Sequence, residues 1–185
     1  MKNPFPTRTD LRRIVSVGGR VHRVRLAVQW VSQSKQALAI TIVERRDTLG
    51  QGMAYSTQHP DHRLNAPTSV HTDVPQDAWH FIRWCQAQGL HDHDPESLRP
   101  DGARCMRRSD FARYLAETLH AHAQGADNVC CITHCQDEAT DARRTASGWV
   151  VHTRTGLVLT ADVLLLATGN PPLTGGQVCC FWAGA

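Results

Sequence analysis

The amino-acid sequence predicts an α/β fold in which a mostly parallel sheet is flanked by helices and carries an inserted β-hairpin. Two observations lead to this class. Short apolar runs alternate with a helical pattern at the start of the chain, as in parallel sheets. Later, two β-prone runs meet at Gly156, which is the pattern of a hairpin. With 185 residues, the chain is long enough for one domain with a substantial core.

The opening of the chain predicts a strand, a tight turn, a helix and a second strand. Residues 12–17 are rich in β-branched side chains and end abruptly at Gly18 and Gly19. Apolar residues then recur at three- and four-residue intervals through residues 21–31, which indicates a helix of about three turns. Residues 39–44 form a second apolar run. Two strands joined by a helix within about thirty residues make a βαβ unit.

The turn after the first strand resembles a damaged dinucleotide motif. In the G-x-G-x-x-G fingerprint, glycines make the turn, admit a pyrophosphate and allow close helix packing. Gly18 takes the first position, but Arg20 and Arg23 stand at the other two. We expect Arg20 to obstruct the pyrophosphate and Arg23 to push the helix off the sheet, although arginine can also pair with phosphate. Glu44, at the end of the second strand, is either an acceptor for ribose hydroxyls or an exposed glutamate.

The middle of the chain predicts a long loop followed by two helices. Residues 45–75 are dense in Gly, Pro, Asp, Asn and Thr and are too long for a simple connection, so we expect a binding loop or disorder. Gly50, Gly52, Tyr55 and residues 64–67 favour order. Asp77 is the expected N-cap of a helix through about residue 88, and Ser109 that of another. The side chains expected to face the core are Trp79, Phe81 and Ile82 in the first helix and Phe111, Leu115, Thr118 and Leu119 in the second.

The last third of the chain predicts further strands. Residues 129–133 form a short β-prone run, and residues 149–153 and 157–160 form the two arms of the hairpin. Residues 161–169 indicate a buried strand that ends in the small residues Ala167, Thr168 and Gly169. Small residues at the carboxyl end of a strand leave room for a ligand in a doubly wound sheet.

Composition excludes several classes of protein. The formal net charge is only +3 and there is no dense Lys/Arg tract, so nucleic acid is not an expected partner. No signal peptide or apolar run of membrane length is present, which predicts a cytoplasmic protein with no membrane association. Seven cysteines, two pairs of them vicinal, favour reduced thiols over disulfides.

Two clusters contain metal-ligating residue types. His91 and His93 alternate with aspartates, and Cys130, Cys131 and Cys135 lie near His134. The first cluster fits a solvated turn better, and adjacent cysteines on a strand point to opposite faces. We therefore predict no metal site, and a metal-binding module remains the weaker alternative.

Several segments, taken in order, carry a family resemblance. They lie between about residues 12 and 172 and comprise the βαβ opening, Ile42-Val43-Glu44-Arg45, Leu49 to Thr57 (LGQGMAYST), Leu64-Asn65-Ala66-Pro67, Arg108 with Phe111 and Arg113-Tyr114-Leu115, and Ala167-Thr168-Gly169. The combination resembles the N-terminal FAD/NAD(P)-binding domain of bacterial flavoproteins that include FAD-dependent urate hydroxylase and an aspartate-oxidising monooxygenase. The run from Gly50 to Thr57 is the most distinctive piece.

The resemblance implies a Rossmann-like FAD domain of a monooxygenase-like oxidoreductase. FAD is the implied cofactor, NAD(P)H the implied co-substrate, and the substrate an unidentified small molecule. The flavin would carry the reaction, so no catalytic side chain is predicted. The expected cofactor-binding residues are Gly18, Gly19, Arg20, Glu44, Arg45, Gly50, Gly52, Thr168 and Gly169.

The resemblance also divides the chain into three parts. Residues 1–11 are a lead-in, residues 12–172 the FAD/NAD(P)-binding domain, and residues 173–185 a Cys-rich tail unlike the family. Family members continue beyond this point, so we expect a truncated flavoprotein that needs a missing C-terminal region or a partner chain. The alternative is a non-catalytic remnant that keeps the fold but does not bind FAD tightly.

Overall fold

The computed structural model describes residues 11–74, 76–125 and 130–168. The strands in chain order are β1 (Arg12–Val17), β2 (Leu38–Val43), β3 (Cys130–Cys135), β4 (Ala139–Thr145), β5 (Gly148–Thr153), β6 (Val158–Ala161) and β7 (Val163–Leu166). The α-helices are α1 (Val21–Gln33), α2 (Gly52–Tyr55), α3 (His80–Ala87), α4 (Leu90–His93) and α5 (Arg108–Gly125). Single 3-10 turns lie at Thr68–Val70 and Pro95–Ser97.

Four parallel strands form the central sheet, in the order β3-β2-β1-β7. Ile14 of β1 pairs with Ile40 of β2 on one side and with Val163 of β7 on the other. Because the strands are parallel, the carboxyl ends of β1, β2 and β7 meet at one edge of the sheet. The predicted βαβ unit and Rossmann-like parallel sheet are confirmed.

Helices cover one face of the parallel sheet. Val24 and Val28 of α1 are buried in the same cluster as Ile14, Ile40 and Ile42 from the sheet. The predicted inward face of α5 is confirmed, since its four members are all buried: Phe111, Leu115, Thr118 and Leu119. This helical layer holds α1 in a fixed position relative to the ends of the strands.

The other face of the parallel sheet is covered by the antiparallel sheet β4-β5-β6. Val15 and Val43 from the parallel sheet pack there against Val151 and Ala161. The predicted hairpin is confirmed as β5 and β6, and Gly156 at its turn has a φ of +91°. The sequence analysis missed β4, because its charged, mostly exposed residues do not alternate with apolar ones.

Some predicted details are wrong. Helix α3 begins at His80, and Asp77 instead accepts a hydrogen bond from the Trp79 N–H before the helix starts. Trp79 is exposed, whereas Phe81 is completely buried. Ser109 lies inside α5 rather than at its N-cap, since the helix begins one residue earlier.

Strand β7 is only half-buried, although the sequence predicts a buried strand. Within the described residues β7 pairs with β1 alone, so it forms an edge of the sheet, and Leu166 is exposed. Residues 1–10 of the lead-in, the Cys-rich tail and Gly169 lie outside the described residues. No helix in the described part combines the length and the apolar character needed to cross a membrane.

Candidate functional site

The site begins at Gly18, which turns the chain out of β1. Its φ is +96°, and its N–H donates to the carbonyl oxygen of Val43 at 2.8 Å. A Cβ placed on Gly18 would lie 2.4 Å from the carbonyl oxygen of Ala167. This position therefore requires glycine both for its backbone conformation and for the close approach of the chain after β7.

Glu44, which directly follows β2, stabilises the same turn through hydrogen bonds. Its Oε2 accepts the N–H of Gly19 at 2.9 Å, and its Oε1 accepts the N–H of Arg46 at 3.2 Å. Burial alone would raise the pKa of Glu44, but these two hydrogen bonds and the guanidinium groups of Arg46 and Arg45 hold that pKa below its ordinary value. The carboxylate thus fixes the turn, and its role toward a ribose stays a prediction.

The loop after β2 returns to this turn. Gly50 has a φ of +87° and donates its N–H to the carbonyl oxygen of Gly19 at 2.7 Å. The stem of Arg20 lies against Gly52, so that a Cβ on Gly52 would be 2.9 Å from Cγ of Arg20. The structure brings Gly18, Gly19, Arg20, Glu44, Gly50 and Gly52 into one continuous cluster.

Arg23 is accommodated without displacing the helix. Its Nη2 donates to the carbonyl oxygen of Leu166 at 2.9 Å, while its Nε is buried without a hydrogen-bond partner in the described structure. Val24, Ala27 and Val28 remain buried behind it. The expectation that Arg23 pushes α1 off the sheet is therefore wrong: the side chain runs to the end of β7 instead of lying under the helix.

The remaining predicted site residues are less closely joined to this cluster. Nη1 of Arg45 lies 3.7 Å from Oε2 of Glu138, an ion pair on the surface. Thr168 is exposed and directly follows Ala167, the residue that touches Gly18. Gly169 lies outside the described residues.

A cavity of about 390 Å³ opens beside the first turn of α1. That volume lies within the range of ligand pockets. It is lined by Arg20, Val21, Arg25, Gln51, Gly52, Met53, Ala54, Tyr55, Val70, His71 and Phe111. The lining combines two guanidinium groups with an apolar wall and contains no carboxylate. No side chain caps α1, and its first turn has no acidic residue, so the positive end of the helix dipole is not neutralised there.

Sequence analysis missed the buried charged group that contacts Arg25 behind this cavity. Nε of Arg25 lies 2.9 Å from Oδ1 of Asp73, whose side chain is 0% exposed. Neither oxygen of Asp73 accepts a well-aligned hydrogen bond in the described structure. Burial raises the pKa of Asp73 to about 6, although the charges of Arg25 and His122 lower it. Arg25 lies four residues after Val21 in the sequence. Helical spacing from the turn was therefore the signal that could have identified Arg25.

The clusters with metal-ligating residue types show different arrangements. Cys130 is buried and Cys131 is exposed, which confirms that adjacent cysteines on this strand face opposite sides. His91 and His93 lie in the short helix α4. Within the described residues, no three His, Cys, Asp or Glu side chains are grouped so that they could hold a metal ion.

Comparison with known families identifies the class of the chain. The sequence model of the FAD-NAD(P)-binding family matches residues 16–171. The chain belongs to this family, which confirms the resemblance found in its segments. No curated protein sequence shows a significant match.

Solved structures with the same fold include flavin monooxygenases. One is cyclohexanone monooxygenase with bound ε-caprolactone, at 14% identity and a TM-score of 0.56, covering 86% of this chain and 27% of that one. Another is a flavin-containing monooxygenase from Stenotrophomonas maltophilia, at 14% identity and a TM-score of 0.52, covering 86% of this chain and 38% of that one. The similarity establishes the fold, and the chain spans well under half the length of these proteins.

Proposed function

We propose that the chain is the FAD-binding domain of a flavin- and NAD(P)H-dependent oxidoreductase of the monooxygenase type. The observation that carries this proposal is the meeting of three strand ends at Gly18. There β1 turns into α1, Glu44 follows β2, and Ala167 follows β7 within contact distance of the turn. In open α/β sheets, nucleotides bind outside the carboxyl ends of the strands at such a crossing.

The residues present fit the anionic part of FAD. The uncapped first turn of α1 provides a positive dipole end, and the adjacent cavity is lined by Arg20 and Arg25 with no carboxylate. Its apolar wall, formed in part by Tyr55 and Phe111 with ring centroids 5.3 Å apart, suits an aromatic ring system. Both properties favour a ligand that joins phosphate to flat rings.

When bound, FAD would supply the redox chemistry, with NAD(P)H as the reductant. The side chains of this domain bind and orient the cofactor. Gly18 and Gly19 place the turn, Glu44 fastens it, and the cavity wall excludes water from one side of the ligand.

One observation favours the alternative of a remnant that keeps the fold without binding FAD tightly. The aliphatic part of the Arg20 side chain covers Gly52 and narrows the space through which a pyrophosphate would reach the first turn of α1. A glycine at position 20 would leave the backbone there uncovered. The two functions differ in a single measurable quantity, the affinity for FAD.

Titration of the purified chain with FAD, followed by flavin fluorescence, tests the proposal. We expect saturable binding that is weakened at least tenfold by Ala54→Trp, because Ala54 is an exposed residue of the cavity wall. Ala146→Trp, at an exposed turn between β4 and β5, is the matched control and should bind as wild type does. A folded chain without saturable FAD binding would establish the remnant instead.

A further inference from the structure

The guanidinium group of Arg20 has no partner in residues 11–74, 76–125 and 130–168. Its stem packs on Gly52, and the side chain lines the cavity beside α1. The aliphatic part of the side chain is partly buried, and the guanidinium belongs to a pocket whose lining contains no carboxylate. A guanidinium in such a place can pair with an anion.

Arg25 is held in place at the same cavity. Its Nε faces Oδ1 of buried Asp73 at 2.9 Å, and its Nη2 donates to the carbonyl oxygen of Thr72. These two contacts leave the donors of Nη1 without an acceptor in the described part of the chain. Because Asp73 has no exposed surface, its charge fixes Arg25 from behind and does not itself line the cavity.

His71 adds a third polar group. Its Nδ1 lies 3.0 Å from the carbonyl oxygen of Pro67, which can only accept, so Nδ1 carries a proton. The ring packs edge-on against Phe111, with centroids 5.3 Å apart. His71 is therefore fixed in orientation at the cavity wall.

We propose that Arg20 and Arg25 together bind the pyrophosphate oxygens of the dinucleotide, replacing with two side chains the backbone contact that a glycine at position 20 would permit. This inference rests on the proposed function, and it identifies the side chains that bind the phosphate groups. Guanidinium groups bind phosphate through paired N–H donors, and such charge-assisted bonds are stronger than neutral ones. On this assignment Arg20 is a binding residue rather than an obstruction.

The two possible roles of Arg20 have opposite consequences for Arg20→Gly. If Arg20 blocks the approach to α1, the glycine variant binds FAD more tightly than wild type. If Arg20 grips the phosphate, the variant binds FAD more weakly.

The experiment measures binding of FAD, of riboflavin, which has no phosphate, and of inorganic pyrophosphate at one neutral pH. For Arg20→Gln and Arg20→Gly we expect a loss of about tenfold or more for FAD and pyrophosphate, with riboflavin affinity unchanged. Arg143→Gln is the matched control, because Arg143 is 78% exposed on β4 and its removal changes the net charge equally. Tighter FAD binding by Arg20→Gly, or FAD and pyrophosphate affinities of Arg20→Gln equal to those of Arg143→Gln, would overturn the assignment.

Arg25 needs a paired substitution, because its removal alone would leave Asp73 buried and unpaired. In Arg25→Gln/Asp73→Asn both charges are lost, and circular dichroism checks the fold. We expect this variant also to lose FAD and pyrophosphate affinity. Unchanged affinity for both would remove Arg25 from the site.

Pyrophosphate separates this inference from the proposed function. Wild-type binding of pyrophosphate that disappears in Arg20→Gln, without any binding of FAD, would support the anion site and refute the FAD domain. Binding of FAD that is insensitive to Arg20 would support the domain and refute the anion site. Binding of neither ligand by wild type would refute both.

Discussion

The two sides of the first turn of α1 are built in opposite ways. On one side, which we call the closed side, Gly18, Gly19 and Glu44 contact one another with their polar groups paired. On the other, the open side, Arg20, Arg25 and His71 line a cavity that has no carboxylate. The same helix start therefore serves as a tightly packed joint and as the edge of a pocket.

This difference separates positions where packing requires glycine from positions that have space for a long side chain. Glycine is retained where a side chain would collide with the backbone, as at Gly18. Arginine stands where the chain has space for a long side chain, as at Arg20 and Arg23. The motif is thus intact in the part that makes the turn and altered at Arg20, which lines the cavity, and at Arg23.

The largest expected effect comes from filling the closed side. Gly18→Ala places a methyl group 2.4 Å from the carbonyl oxygen of Ala167 at a φ of +96°, and should lower the free energy of unfolding by about 3 kcal/mol or more. Gly156→Ala is the matched control, because Gly156 has a φ of +91° but no atom within 4 Å of a Cβ. It should cost only about 1 kcal/mol in urea unfolding. Equal losses would show that the closed side is not tightly packed.

The second-largest expected effect is a pH dependence of the stability, and it comes from Asp73, the buried acid that contacts Arg25 behind the open side. Burial raises the pKa of Asp73 from its ordinary value of 3.8 to about 6. A raised folded-state pKa contributes stability that is fully present below the unfolded pKa and is lost as the pH rises through the folded one. Wild type should therefore lose about 3 kcal/mol of this contribution between roughly pH 4 and pH 6, at about 1.4 kcal/mol per pH unit.

Asp73→Asn tests this dependence. The amide has the same shape and cannot ionise, so the free energy of unfolding of wild type minus that of the variant should fall by about 3 kcal/mol between roughly pH 4 and pH 6. Arg25 and His122 are the charged partners that lower the pKa of Asp73, and both remain in the variant. A difference between the two proteins that stays constant over this range would assign the falling limb to another group, such as Asp110, whose pKa is also raised by burial.

Sequence analysis predicted the strands and the turn of the closed side because their signals are local, but it did not predict the hydrogen bond from the Gly19 N–H to Glu44. The β-branched run before Gly18 and the acid at Glu44 are readable from spacing within one βαβ unit. The open side depends on residues that only the tertiary fold brings together: Arg25 from α1, His71 from the long loop and Phe111 from α5. No short-range pattern connects them.

The misjudged details have a similar physical origin. Arg23 was expected under the helix, but its length lets it reach the carbonyl oxygen of Leu166 at the sheet edge. Strand β4 has the composition of a solvated turn, and its pairing with β5 supplies the order that its own sequence does not indicate. In both cases a backbone partner outside the segment itself decides the conformation.

The smallest of these effects comes from removing the charge that fastens the closed side. Glu44→Gln keeps the shape of the side chain, but its amide can accept at only one oxygen, where the carboxylate accepts from Gly19 at Oε2 and from Arg46 at Oε1. We expect a loss of about 1 to 2 kcal/mol near neutral pH, because one N–H loses its acceptor and the other keeps only a neutral one. Urea unfolding measures it, and Glu117→Gln, on the exposed side of α5, is the control.

The pH dependence of that loss has the opposite sign to that of Asp73. The pKa of Glu44 is lowered from its ordinary value of 4.5, so its contribution is present above the unfolded pKa and disappears as the pH falls through the folded one. The gap between wild type and Glu44→Gln should therefore close in acid, where the falling limb of Asp73 has not yet begun. A gap that stays constant down to strongly acidic pH would mean that the ionisation of Glu44 does not contribute to the stability of the turn.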